Sequence, residues 1–255
     1  MKKNRVPIVV LASMVAAGFI AIYLTPSGQS QNKSAMAKSG EEIPIVDIYA
    51  PESDDPLTKD LQRNRGRKYD TGVPLVDFLE PESDLLDLPL SHAPIEPALP
   101  VSQSDLIVIG MVKDSKAHLS SDRTNVYSEF SIKIERIFEN RSPMELGIDS
   151  VVTTERAGGK VRFSSGNILL RGVSGRGFPL NNQKYVLFLK WSEFGKDFVI
   201  LTGYKLQNGL VTPLDGQKTP NPIYKNYSQY EGKTEKELLR ALEHSIKDLV
   251  GEAQR

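Results

Sequence analysis

"FVILTGYKLQNGLVTPL", residues 198–214, decides the fold class. Two apolar runs, 198–206 and 210–214, flank Asn208-Gly209, the pair that tolerates the positive φ demanded by a tight hairpin turn. Upstream the same texture repeats. "DLIVIGMV" (105–112) reads as a buried strand with Gly110 as a bulge or bend. "NVYSEFSIKI" (125–134) alternates, with Val126, Phe130, Ile132 and Ile134 on one face and Glu129 and Lys133 on the other. "SVVTTER" (150–156), "KVRF" (160–163), "ILLRGV" (168–173) and "KYVLFLKW" (184–191) follow. About eight strands with no helical pattern between them predict a small antiparallel barrel or sandwich. A single helix is predicted over 234–250. Thr234 and Glu237 form a capping box, and Leu239, Leu242, Ile246, Leu249 and Val250 fall at helical spacing before Gly251. The folded domain is therefore expected to span 101–255.

The zero net charge of the 255 residues hides three unlike regions. The first five residues carry Lys2, Lys3 and Arg5 without an acid. Val6 to Leu24 is then uncharged, long enough as a helix to span roughly 28 Å, close to a hydrocarbon core. Basic residues before it and none directly after place the N-terminus inside and the rest outside. Residues 1–24 are thus expected to form a transmembrane signal anchor, which makes the protein single-pass with an extracytoplasmic C-terminal domain. Ala35-Met36-Ala37 has the form of a cleavage site but stands late, and if it were cut the domain would be secreted. With no cysteine, disulfides, thiol nucleophiles and thiolate metal sites are excluded.

Residues 25–100 hold ten of the sixteen prolines, with acids outnumbering bases two to one. That composition predicts a disordered stalk. Within it "IPIVDIYAPESD" (43–54) and "VPLVDFLEPESD" (73–84) align without a gap. The apolar and acidic residues Val46, Asp47, Ile48 and Val76, Asp77, Phe78 make a candidate partner-binding repeat. Such a segment could add as a strand to a sheet edge; a duplicated spacer is the alternative.

Candidate chemistry is sparse. "RGVSGRGFPL" (171–180) carries Gly172, Gly175 and Gly177 in the reverse order of a dinucleotide fingerprint and lacks the lysine of a phosphate loop. A turn between strands is the better reading. His92 in the stalk, His118 in a polar loop and His244 on the helix have no ligand partners at metal spacing. No catalytic residue, metal site or cofactor is predicted. Between Glu155 and Glu193 there is no acid, while Arg156, Lys160, Arg162, Arg171, Arg176, Lys184 and Lys190 supply positive charge among Phe163, Phe178, Tyr185, Phe188 and Trp191. A basic, aromatic-bearing surface suits an anionic polymer. Arg156, Lys160, Arg162, Arg171 and Arg176 are accordingly the candidate ligand-binding face. The alternation equally allows the aromatics to be core and the charges a solvated outer face. The acidic stalk could also fold back on this face.

From Val101 to Asp215, "SDLIVIGMV", "NVYSEFSIKIERIF", "RAGG", "GVSGRGFP" and "KYVLFLKW" resemble a group of uncharacterised secreted or membrane-anchored bacterial proteins. Their architecture is similar to the oligonucleotide/oligosaccharide-binding (OB) barrel of netrin-like and metalloproteinase-inhibitor domains. The resemblance implies an extracytoplasmic setting and no assigned activity. This chain lacks the N-terminal cysteine through which such inhibitors engage a metal, and Asn182 stands where a glycine commonly precedes the fifth motif. The expectation is a mainly β protein, a small antiparallel OB-like barrel with one C-terminal helix, preceded by a transmembrane helix and a disordered stalk. Its expected role is a non-catalytic binding module for a cell-surface protein or anionic polymer, with nucleic acid not the expected partner. An inhibitor or regulator of an exported hydrolase, or a hydrolase with an unrecognised site, is the alternative.

Overall fold

A computed structural model describes residues 43–77, 97–173, 175–216 and 225–253. The expected signal anchor (1–24) and the residues 25–42 and 78–96 of the expected stalk, Phe78 and His92 among them, lie outside the described residues. Among the described residues no helix is long and apolar enough to cross a membrane.

The protein is mainly β, and all eight expected strands form: β2 (Leu106–Leu119), β3 (Val126–Asn140), β4 (Val151–Ala157), β5 (Gly159–Arg162), β6 (Ile168–Arg171), β7 (Lys184–Ser192), β8 (Asp197–Gln207) and β9 (Leu210–Pro213). Two further elements precede them, β1 (Ile45–Asp47) and α1 (Pro56–Arg67). The short α2 (Lys225–Ser228) and α3 (Glu235–Ala253) close the chain. Six strands form one sheet in the order β4-β3-β2-β7-β8-β9, and β1-β5-β6 form a second.

The main sheet curls without closing into a barrel, so of the expected small antiparallel OB-like barrel with one C-terminal helix the mainly β character and the helix are present and a closed barrel is not. The free edge of β8 is divided between two partners. Its first residues meet β4 in only two pairs, Thr154↔Phe198 and Glu155↔Val199, and those run parallel. Its last residues, Tyr204 to Gln207, are taken by β9 through the Asn208-Gly209 turn, where both residues have positive φ. β4 cannot extend to cover the gap. The chain turns off at Gly158 and Gly159, with φ of 102° and 152°, and enters the second sheet.

Both faces of the central strands are buried, which explains the unbroken apolar run 106–109. Leu106 and Val108 pack inside the curl with Phe130, Ile132, Leu187 and Ile200. Ile107 and Ile109 point to the other face, where Phe188, Tyr204, Val211 and the helix residues Leu238 and Leu242 cover them. Gly110 sits beside a register shift, and a Cβ there would collide with the Ile132 side chain. The α3 capping box forms as expected: Thr234 N–H donates to Glu237 Oε2 (2.8 Å) and Glu237 N–H to Thr234 Oγ1 (3.3 Å). Leu242 is buried as expected, but Leu238 rather than Val250 completes the stripe; Val250 is half exposed.

The expected disordered stalk fails over 43–77. β1 pairs in parallel with β5, matching Val46 to Val161. Val46, Ile48 and Leu75 pack on Ala117, Val126 and Val161. The composition argument missed that the few apolar residues of this segment have a ready surface to cover. α1 starts at Pro56 behind Asp55, whose carboxylate accepts from Thr58 N–H at 2.9 Å.

Candidate functional site

The expected basic face is not assembled as one surface. Arg156, on β4, is 2% exposed. Its Nη2 meets Asp215 Oδ2 at 2.6 Å and its Nη1 donates to Gly177 O at 2.6 Å, while Gly177 N–H donates to Asp215 Oδ1 at 3.0 Å. This pair fastens the 171–180 loop to the segment after β9, and a Gly216 N–H bond to Gly175 O (2.7 Å) adds to it. The loop is a pinned turn, as the sequence indicated. Arg171 is buried at the end of β6. Lys160 is half-buried on β5, and Arg176 is half-buried in the loop, where it too is engaged. Only Arg162 stands exposed, with Nη1 3.4 Å from Asp47 Oδ1.

The repeat is likewise used internally. Val46, Asp47 and Ile48 belong to β1 and its continuation, so the first copy does add to a sheet edge, but that of its own chain. Of the second copy, Val76 is exposed and Asp77 Oδ1 accepts from Asn167 Nδ2 at 2.9 Å.

Folding back of this segment creates two features that the sequence reading missed. The first is a buried ion cluster beneath the C-terminal end of α1. Arg65 Nε lies 2.7 Å from Asp197 Oδ2, its Nη1 donates to Glu129 Oε1 at 3.1 Å, and Lys68 pairs with Glu155. Glu155 and Asp197 are essentially buried. Burial pushes the Asp197 carboxyl up to about 6, against the lowering pull of Arg65 and Lys68, and pushes Lys68 down. Three carboxylates face two cations, and the helix approaches closely because residue 66 is glycine: a Cβ there would lie 2.9 Å from Ser121 N. Such a buried network fixes geometry more than it adds stability. It acts as the fastening of α1.

The second feature is a cavity of about 350 Å³ between 46–63 and the ends of β2 and β3. Ala117, Leu119, Val46 and Tyr127 give it an apolar lining, and Lys59, Arg63, Arg123 and Glu52 charge its wall. Glu52 accepts from Arg63 Nη2 at 3.0 and 3.1 Å and pairs with Lys59 at 2.6 Å, and the bonds from Lys59 and then Arg63 hold its pKa below the ordinary carboxylate value. Arg123 Nη2 donates to Ile48 O at 2.5 Å and to Ala50 O at 3.2 Å, which ties the strand segment to the β2–β3 turn.

His118 lines this cavity too. It lies on β2 rather than in a polar loop, stacked on Tyr127 with ring centres 5.3 Å apart. Its Nε2 is 3.5 Å from Glu129 Oε2, and burial lowers its pKa, so the ring is neutral at pH 7. With the histidine neutral, the wall carries three cations and one carboxylate. His244, expected on the helix surface, is exposed there beside Asp248. Among the described residues no group of three His, Asp or Glu is placed to hold a metal ion.

No family model matches the chain, and neither a curated protein nor a solved structure matches it.

Proposed function

We propose that the protein is a non-catalytic binding module for an anionic partner, tethered to the membrane by residues 6–24 with its folded part outside the cell membrane. The partner places one acidic unit in the cavity between 46–63 and β2–β3. The observation that carries this reading is the lining of that cavity, where Lys59, Arg63 and Arg123 outnumber the single carboxylate of Glu52. Its volume suits one acidic side chain or sugar-acid unit, and ligand sites are concave, largely apolar and equipped with a few charged groups. The curled sheet gives further support. We read the meander β2-β3-β4, returning through β7 and β8 to touch β4 again, as a variant of the partly open five-stranded OB barrel, an architecture used to bind oligomers. The anionic partner expected from the sequence is retained, but its seat moves from the 156–176 stretch to residues that arrive with the folded-back segment.

The test is calorimetric titration of the full chain with poly-glutamate and, separately, with a polyuronate. Binding should weaken at least tenfold in the R63A/R123A double variant and fall with salt. Equal binding by that variant and the wild type, or no binding of either polymer, overturns the reading.

A further inference from the structure

Arg171 presents a problem that the proposed cavity does not solve. Its residue is 5% exposed, yet Nε and Nη1 are both buried without a hydrogen-bond partner. A guanidinium stays protonated, so this cation cannot escape burial by losing its charge. A buried charge left uncompensated is costly, and buried polar groups without partners are rare enough to indicate a missing ion or water. Burial lowers the pKa of Arg171, and no carboxylate among the described residues offsets that cost.

Arg156, in the same acid-free stretch, makes the contrast plain. Asp215, supplied from beyond β9, neutralises Arg156 at 2.6 Å and spends its second oxygen on the Gly177 N–H. For Arg171 no hydrogen bond or ion pair to a described side chain takes that part. No acid occurs from 156 to 192, so neither β5, β6 nor the glycine loop can provide a counter-charge.

We infer that Arg171 is the anchor of an anion site at the end of β6, whose ligand is a small oxyanion, a carboxylate or a phosphate, held by the guanidinium nitrogens left without a partner, Nε and Nη1. The geometry of a guanidinium fork matches either. This site is separate from the cavity and stands on different residues, so it survives or fails independently of the binding function proposed above.

The test uses the full chain in chloride buffer, to which acetate or inorganic phosphate is added at constant ionic strength. Two readouts are followed, the melting temperature and the 15N signal of the Arg171 Nε–H group, assigned by its loss in R171K. The oxyanion should raise the melting temperature and shift the Arg171 signal. Binding should weaken at least tenfold in R171K and vanish in R171M. R63A/R123A, which removes cavity cations, should leave the Arg171 response unchanged. A larger response to acetate identifies a carboxylate as the natural group, and a larger response to phosphate a phosphate ester. An unmoved Arg171 signal, a response to chloride equal to that of both oxyanions, or a response retained in R171M overturns the proposal. The signal readout on the wild type keeps the proposal falsifiable even if R171M does not fold.

Discussion

Replacing Asp215 by asparagine isolates the cost of an unpaired charge in this fold. The side chains of Arg156 and Asp215 are 2% and 1% exposed, and the Nη2–Oδ2 contact is 2.6 Å. Asparagine keeps the shape of the carboxylate and can still accept from Gly177 N–H, so packing is nearly unchanged while the counter-charge is lost. Removing one partner of a buried pair costs about 3–5 kcal/mol. For a folded region of 150–250 residues each kcal/mol lowers the melting temperature by roughly 2–4 °C, so the expected drop is roughly 6–20 °C. Thermal melts and urea titrations of D215N followed by circular dichroism supply the number. A double variant R156M/D215L, which removes both charges, should recover most of the loss, because replacing a buried pair with apolar groups is often neutral. A drop below about 2 °C in D215N, or a double variant worse than the single one, would refute the view that the two charges depend on each other. The Arg156 bonds to Gly177 O and Leu201 O would then be the main support of the 171–180 loop.

Four further outcomes follow from the fastening of α1, from His118 and from α3. Asp197 has its folded-state pKa raised to about 6 from 3.8, mainly by burial, with Arg65 and Lys68 pulling it down and Glu129 pushing it up. Its stabilising contribution is therefore fully present below about pH 4 and lost as pH rises through 6, and D197N should flatten this part of a stability-against-pH curve. His118 acts in the opposite sense. Its pKa is lowered by burial, so its contribution is present above its ordinary value near 6.5 and lost as pH falls, and H118Q should remove that fall. G66A places a methyl group 2.9 Å from Ser121 N and should loosen the helix. Hydrogen exchange across 56–67 should quicken at least tenfold in that variant while α3 is unaffected. T234A removes the hydroxyl that accepts from Glu237 N–H and should cost about 0.5–2 kcal/mol in denaturant titrations. Unchanged stability there would mean that the packing of Leu238 and Leu242 alone holds α3.

What could be read from the sequence was whatever depends on neighbours in the chain. The strand at 125–134 showed itself by alternation, the hairpin by Asn208-Gly209 and the helix by Thr234 and Glu237, because each of these signals lies within a few residues. The same reasoning could have found α1. Asp55 followed by Pro56 is an N-cap before a favoured first helical residue, a signal submerged by the acids and prolines around it. The ion cluster was out of reach in a different way. Arg65, Glu129, Glu155 and Asp197 are far apart in sequence: strand pairing sets Glu129 opposite Glu155 and Glu155 opposite Val199, near Asp197, and the return of 43–77 adds Arg65 and Lys68. The acid-free stretch 156–192 was visible, and it was read as a surface. Its physical meaning is nearly the reverse: a run without acids cannot neutralise its own buried arginines, so Arg156 must draw Asp215 from beyond β9, and Arg171 Nε and Nη1 are left without a partner among the described residues. A charge pattern therefore states which side chains need a partner, and the fold decides which of them receive one. In this protein the unmet need of Arg171, rather than the sum of charge along the stretch, is what the proposed anion site at β6 rests on.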